Sequence, residues 1–241
     1  MPTPLSDALD ATRFGGKTAA LARARQAGLP VPDGTALDCD EVEAVVAGDP
    51  SLLDWLATQD GRALAVRSSA LGEDGAAASF AGAHRTVLSP DDLGAAIVAV
   101  HASAQSPAAL VYRARRGLVG PPRMAVLLQM LVRAEASAIV FTRDPRGPRS
   151  GEMLVEATSG GGQALSDGTV DPERLRLGRA GERGEHTLGA SPSVLTDARC
   201  RAIVAIVKQL DHLIASDRGL DLELAFVGDE PLLLQARPIA G

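Results

Sequence analysis

The chain has 241 residues, a formal net charge of −6 and a pI near 5.3, which argues against a broad nucleic-acid-binding surface but leaves room for a local phosphate pocket. Hydrophobic residues make up 46% and aromatic residues 2%, so a core is available but must be packed from Ala, Val, Leu and Ile. The length suits one large domain or two small lobes. Cys39 and Cys200 are the only cysteines. With no apolar N-terminal signal and no run of about 20 apolar residues, the expectation is a cytoplasmic chain without a structural disulfide or a membrane span.

In chain order, residues 17–27 are rich in Ala, Leu and Arg, and Gly28 and Pro30 follow. This predicts a helix that starts at Gly15-Gly16 and stops at a glycine. Residues 41–57 predict one or two short helices. Residues 62–68 alternate as a strand that opens into a Gly/Ala/Ser-rich loop over 70–82. Residues 86–88 predict a short strand, 91–104 a helix, and Pro107 the start of another. Two nearly apolar strands are expected at 124–129 and 136–142, joined by a hinge over 130–135. Asp144 begins a turn at 144–147, a strand covers 152–156, and a glycine loop covers 159–163. Thr196 caps an amphipathic helix that runs to about Ser216.

The end of the chain carries the strongest chemical signal. Residues 220–226 and 232–238 are apolar runs of strand length flanking Gly228-Asp229, a hairpin signature. One strand carries Asp221 and Glu223, the other Gln235 and Arg237. Glu223 and Gln235 are oxygen donors of the kind a hard cation takes, and Arg237 is a fixed cation suited to phosphate. Polar groups on buried strands are costly unless paired, and a Mg²⁺–nucleotide would pair with all of them.

Other motifs keep two readings each. Residues 11–18 end in Gly16-Lys17-Thr18 like a P-loop, but Ala11 replaces the first glycine and no strand precedes it. Lys17 at a helix start is either a phosphate ligand or a solvated side chain. Arg67 and the glycine-rich loop after it fit a ligand loop or a surface loop. Residues 129–132 either present backbone to an adenine edge or simply connect two strands. Gly160-Gly161-Gly162 is a phosphate cradle or a turn. The four histidines lack metal spacing, and Ser68 and Ser69 lack triad partners.

The order of these motifs is more specific than any one of them. Gly15-Gly16-Lys17, Ala65-Val66-Arg67-Ser68-Ser69-Ala70, Glu73-Asp74, Ala78-Ser79-Phe80-Ala81-Gly82, Gln129, Phe141-Thr142-Arg143-Asp144-Pro145 and Gln235-Ala236-Arg237-Pro238 form one series. This series resembles the ATP-grasp nucleotide-binding domain of the phosphoenolpyruvate synthase and pyruvate phosphate dikinase family, which includes rifampin phosphotransferase. The resemblance implies a mixed α+β, two-lobed fold with a nucleotide cleft, divided as 1–128 and 129–241. It implies that Lys17 and Arg67 hold phosphates, that the loop through Gly82 covers them with Thr86 nearby, and that Gln129 and the Met130-Leu131-Val132 backbone meet the adenine. By the same resemblance Glu223 and Gln235 hold Mg²⁺, Arg237 binds the terminal phosphates, and Lys17, Arg67 and Arg237 are catalytic.

The implied reaction splits ATP to AMP and passes a phosphoryl group to a histidine. No swivelling histidine domain is present within these residues, so the expected acceptor is a separate protein or a small molecule. Two departures stand out. Relatives tend to carry a Trp-Gly-Leu-Gly-Glu block, where this chain has Ser159-Gly160-Gly161-Gly162-Gln163. The chain is also compressed between residues 34 and 62 and after 175. These departures keep two alternatives open, a nucleotide-binding regulatory subunit without turnover and a small-molecule kinase. No nucleic-acid or membrane partner is expected.

Overall fold

The structure is a computed structural model that describes residues 1–72, 86–115, 117, 119–144, 151–190 and 192–239. Its contacts divide the chain into two compact units. Among the described residues, the first unit takes 1–23, 32–72 and those from 86 to 131. The second takes Ala24–Val31 and the residues from 132 onward. The division expected from sequence was a single cut at 128/129. Residues 24–31 group with the second unit, where the Pro30 carbonyl accepts the Leu233 N–H at 2.8 Å.

The first unit is built on a five-stranded antiparallel sheet. In chain order its elements are β1 (Thr3–Pro4), the start of α1 (Ala11–Gln26), β2 (Gly34–Leu37), α2 (Cys39–Val46) and α3 (Pro50–Ala57). There follow β3 (Leu64–Ala70), β4 (Thr86–Leu88), α4 (Leu93–Ser103), α5 (Pro107–Arg115) and β5 (Met124–Met130). The strand order is β1-β2-β5-β3-β4. Asp38 starts α2 with a reciprocal cap: its Oδ1 accepts the Glu41 N–H at 3.0 Å, and Glu41 Oε2 accepts the Asp38 N–H at 3.0 Å. Asp92 caps α4 in the same sense by accepting the Ala95 N–H. The core gathers Leu37, Val42, Val66, Ile97, Val100, Val126 and Leu128 from the helices and one face of the sheet.

The second unit is a six-stranded antiparallel sheet with one long helix. It contains β6 (Ala136–Phe141), β7 (Glu152–Ser159), the short α6 (Gln163–Ser166), β8 (Glu173–Gly178), β9 (Arg183–Thr187), α7 (Asp197–Leu213), β10 (Leu220–Val227) and β11 (Glu230–Pro238). The strand order is β11-β10-β6-β7-β8-β9. Thr196 caps α7 by accepting the Arg199 N–H at 3.1 Å, and the helix buries Ile203, Ile206, Val207 and Leu210. Ala236, Leu222, Val140, Val155 and Leu175 stand side by side across five strands, and none is exposed. Because side chains alternate between faces, the neighbouring rows must point the other way. Mixed helices with two antiparallel sheets make the chain α+β, as its sequence predicts. Among the described residues no helix is long and apolar enough to cross a membrane.

Candidate functional site

In the first unit, the strand register decides which side chains share a face. Ala65 pairs with Gln129, Arg67 with Leu127 and Ser69 with Ala125 on β3 and β5. Thr86 on β4 pairs with Arg67. Arg67, Ser69, Gln129 and Thr86 therefore lie on one face of the sheet, while Val66, Val126 and Leu128 face the core on the other. Gln129 and Ser69 are each 1% exposed, and Arg67 and Thr86 are half-buried. Among the described residues the Gln129 Nε2 has no hydrogen-bond partner. A buried amide nitrogen in that condition carries a desolvation cost that a ligand acceptor would remove.

An interruption in α1 brings the turn that carries Lys17 against Ser69. Gly15 has φ 74 and ψ 157 inside the helix, so α1 stops and restarts there. Only glycine adopts that conformation cheaply. A Cβ on Gly15 would also fall 2.4 Å from both Ser69 O and Ser69 Oγ. The restarted helix presents Gly16, Lys17 and Thr18 as its first turn. Its Thr18 N–H donates to Ser69 Oγ at 3.2 Å in a buried contact. Sequence reasoning placed the helix start at these glycines but missed the turn before them, where Asp10 Oδ1 accepts the Thr12 N–H at 2.8 Å.

Two of the backbone N–H groups expected at the adenine edge have partners. The Met130 N–H donates to Asp33 O at 2.7 Å, and the Leu131 N–H donates to Ala63 O at 2.9 Å. Both donors are occupied within the first unit. Val132 belongs to the second unit. Gly82 lies outside the described residues. A separate cavity of about 320 Å³ is lined by Asp33, Trp55, Arg62, Leu64, Leu128 and Met130. Leu64, Leu128 and Met130 alternate with Ala65 and Gln129 along their strands, so this cavity opens on the helix-covered side and not on the face of Arg67.

In the second unit, the hairpin folds as its sequence predicts. Val227 pairs with Glu230 around Gly228-Asp229, and Gly228 has φ 59. Asp221 stands opposite Arg237, and Glu223 opposite Gln235. All four share one face. A bulge after Glu223 lets Leu224 pair with Leu233, which leaves Leu234 as the extra residue. Arg237 donates from Nε and Nη2 to Asp221 Oδ2 at 2.9 and 2.8 Å, and both side chains are largely buried. Sequence reasoning noted Asp221 as a second carboxylate without giving it a task; it fixes the Arg237 guanidinium. Glu223 and Gln235 are half-buried on the same face. Their row continues through Ile139 to Glu156 and Arg174, whose side chains pair at 3.0 Å. Gly160 is held in a turn: its N–H donates to Glu135 O, and its carbonyl accepts the Ser137 hydroxyl.

Glu223 and Gln235 are a fitting pair for a small hard cation. They are register partners across the ladder, a carboxylate and an amide on one face, and phosphate oxygens and water complete such a shell. Among the described residues, at the hairpin or elsewhere, no group of three or more His, Cys, Asp and Glu side chains is gathered around a metal position.

An α+β chain that carries basic groups on a strand and a helix turn in one unit, and a cation-and-carboxylate hairpin in the other, has the makings of a nucleotide-binding domain. The chain belongs to the pyruvate phosphate dikinase, AMP/ATP-binding domain family, whose model matches residues 52–188. The match spans Arg67, Thr86 and Gln129 but not Lys17 or the hairpin. The chain is 28% identical to the prodigiosin synthesizing transferase PigC of Serratia marcescens, over 96% of this chain and 32% of that protein. It is 34% identical to rifampicin phosphotransferase of Streptomyces sviceus, over 73% of this chain and 23% of that protein. It is 35% identical to phosphoenolpyruvate synthase of Pyrococcus furiosus, over 46% of this chain and 14% of that protein. The chain thus spans a third or less of the length of these relatives. Among solved structures, carboxyaminoimidazole ribonucleotide synthase from Aspergillus clavatus complexed with ATP has a TM-score of 0.45 and 11% identity, covering 93% of this chain and 44% of that one.

Proposed function

We propose that this chain is an ATP-grasp domain that binds Mg·ATP and drives phosphoryl transfer of the dikinase kind, ATP to AMP, onto an acceptor histidine carried by a separate protein or domain. The observation that carries the reading is the register of the C-terminal hairpin, which puts Asp221–Arg237 and Glu223–Gln235 side by side on one face. The family match, which covers residues 52–188 of both units, and the orphaned Gln129 amide of the first unit support it.

In this reading Mg²⁺, held by Glu223 and Gln235, supplies charge neutralisation to the bound phosphates. Arg237, held rigid by Asp221, presents a fixed positive charge to a phosphate without reorganising. Lys17 and Arg67 bind the polyphosphate from the first unit, with Thr86 beside Arg67. Gln129 reads the base with its amide. Catalysis is then positioning and charge stabilisation rather than covalent chemistry by the protein.

The test is nucleotide analysis after incubation with Mg·ATP, with and without a phosphohistidine-type acceptor domain. Acceptor-dependent AMP is the expected product. ADP instead would point to a simple kinase. Binding without any product would favour a regulatory nucleotide-binding subunit, a reading motivated by Gln163, whose amide donates to Asp167 where relatives tend to carry an acid.

A further inference from the structure

A helix that starts after a glycine has no side chain of its own to cap it, because Gly cannot supply the oxygen that Ser, Thr, Asp or Asn supplies at that position. The restart of α1 at Gly15 is such a helix. Its missing cap comes from 51 positions away, where the Ser69 hydroxyl accepts the Thr18 N–H. The two residues are complementary in shape as well. Gly15 admits the Ser69 main chain and hydroxyl to a distance that any Cβ would forbid. Ser69 is 1% exposed, and its hydroxyl is engaged by the Thr18 N–H.

The consequence concerns two cations. Lys17 is in the first turn of the restarted helix, next to Thr18. Arg67 precedes Ser69 by two residues on β3 and shares its face. One short strand segment therefore sets both the direction of Arg67 and the docking point of the turn that carries Lys17.

We propose that Ser69 is a positioning residue for phosphate binding: by capping the restarted α1 it fixes Lys17 at a set distance from Arg67, without touching the nucleotide itself. This rests on the proposed function, in which Lys17 and Arg67 bind the polyphosphate. In Ser69→Ala the Thr18 N–H loses its partner and the first turn frays. Lys17 then samples more positions, and the two cations no longer meet the phosphates together.

The experiment is a double-mutant cycle on ATP affinity, read by titration calorimetry with Mg·ATP on four chains: wild type, Ser69→Ala, Lys17→Ala and the double variant. Lys17→Ala is expected to weaken binding about tenfold, since it removes one charged contact. Ser69→Ala is expected to weaken it about fivefold in the wild-type background, which is an ordinary cost for a lost helix cap. In the Lys17→Ala background the same change should cost less than about twofold, because Ser69 acts through Lys17.

An equal loss in both backgrounds would make Ser69 merely structural and overturn the proposal. No loss in wild type would overturn it as well. If Ser69→Ala fails to fold, Ser69→Cys keeps the shape with a poorer acceptor and takes its place in the cycle. The two readings fail differently. If wild type binds no Mg·ATP, or binds it with no sensitivity to Lys17, the proposed function itself falls. If binding depends on Lys17 but not on Ser69, only the positioning role falls.

Discussion

Arg237 and Glu223 stand on the same face of one hairpin, yet removing them should have different consequences. Arg237 and Asp221 are a largely buried ion pair joined by two hydrogen bonds to one oxygen. Arg237→Ala strips both guanidinium hydrogen bonds from Asp221, 8% exposed, and should cost about 3 kcal/mol of stability in addition to activity. Asp221→Asn combined with Arg237→Gln should recover much of that stability in urea unfolding while remaining inactive. Glu223→Ala should weaken ATP binding about tenfold in the presence of Mg²⁺, with little change when the metal is chelated. Equal losses with and without metal in calorimetry would remove Glu223 from the cation site. The hairpin was legible in sequence because acid, amide and guanidinium interrupt an apolar pattern at alternate positions. The Asp221–Arg237 pairing was not, because it depends on register, which a bulge after Glu223 shifts within the same hairpin.

Elements with a strong apolar period or a clear cap were readable; those stabilised from outside were not. The helix α7 announces itself through Thr196 and its apolar stripe. By contrast β8 and β9 carry no signal that sequence reasoning picked up. In β8 the outward positions are Arg174 and Arg176, which pair with Glu156 and Asp144. Every residue of β9 is exposed, so its ladder to β8 and a few side-chain bonds, such as that from Arg183 to the Leu195 carbonyl, hold it. The short β2 has four residues and is defined by its place between β1 and β5.

Glu173, at the start of β8, ties this edge to the loop before α7. It accepts the Ser193 hydroxyl at 2.7 Å, the Val194 N–H at 2.7 Å, the Leu195 N–H at 3.2 Å, and meets His186 Nε2 at 2.7 Å. Burial alone would raise the Glu173 pKa, but these hydrogen bonds outweigh it and hold the carboxyl below its ordinary 4.5. A depressed carboxylate contributes stability above its unfolded pKa and loses it as pH falls through the lower folded value. Glu173→Gln should therefore cost about 2 kcal/mol at pH 7. That difference from wild type should shrink as the pH is lowered through and below 4.5 in denaturant titrations. A pH-independent difference would assign the cost to packing alone.

At the scale of the whole molecule, the proposed function requires both units to engage one nucleotide, and the chain carries a reporter in each. Cys39 is buried in the first unit and Cys200 in the second. Burial pushes the Cys39 thiol up to about 11 and raises Cys200 as well, so neither reacts readily while its unit stays closed. Labelling by a thiol reagent then requires local or global opening, and its rate follows the stability of the unit that holds the cysteine. A ligand at 100 times its Kd stabilises what it binds by about 2.7 kcal/mol, close to a hundredfold fall in the open population. If Lys17 and Arg67 in one unit and the hairpin in the other both hold Mg·ATP, saturating nucleotide should slow labelling of Cys39 and Cys200 alike. Glu223→Ala should reduce both effects together, because a weaker metal site lowers the occupancy that protects either unit. Protection of Cys39 alone would confine binding to the strand-and-helix-turn surface around Arg67. Protection of Cys200 alone would confine it to the hairpin. Each of those results would reject the shared-nucleotide reading while leaving the family membership untouched.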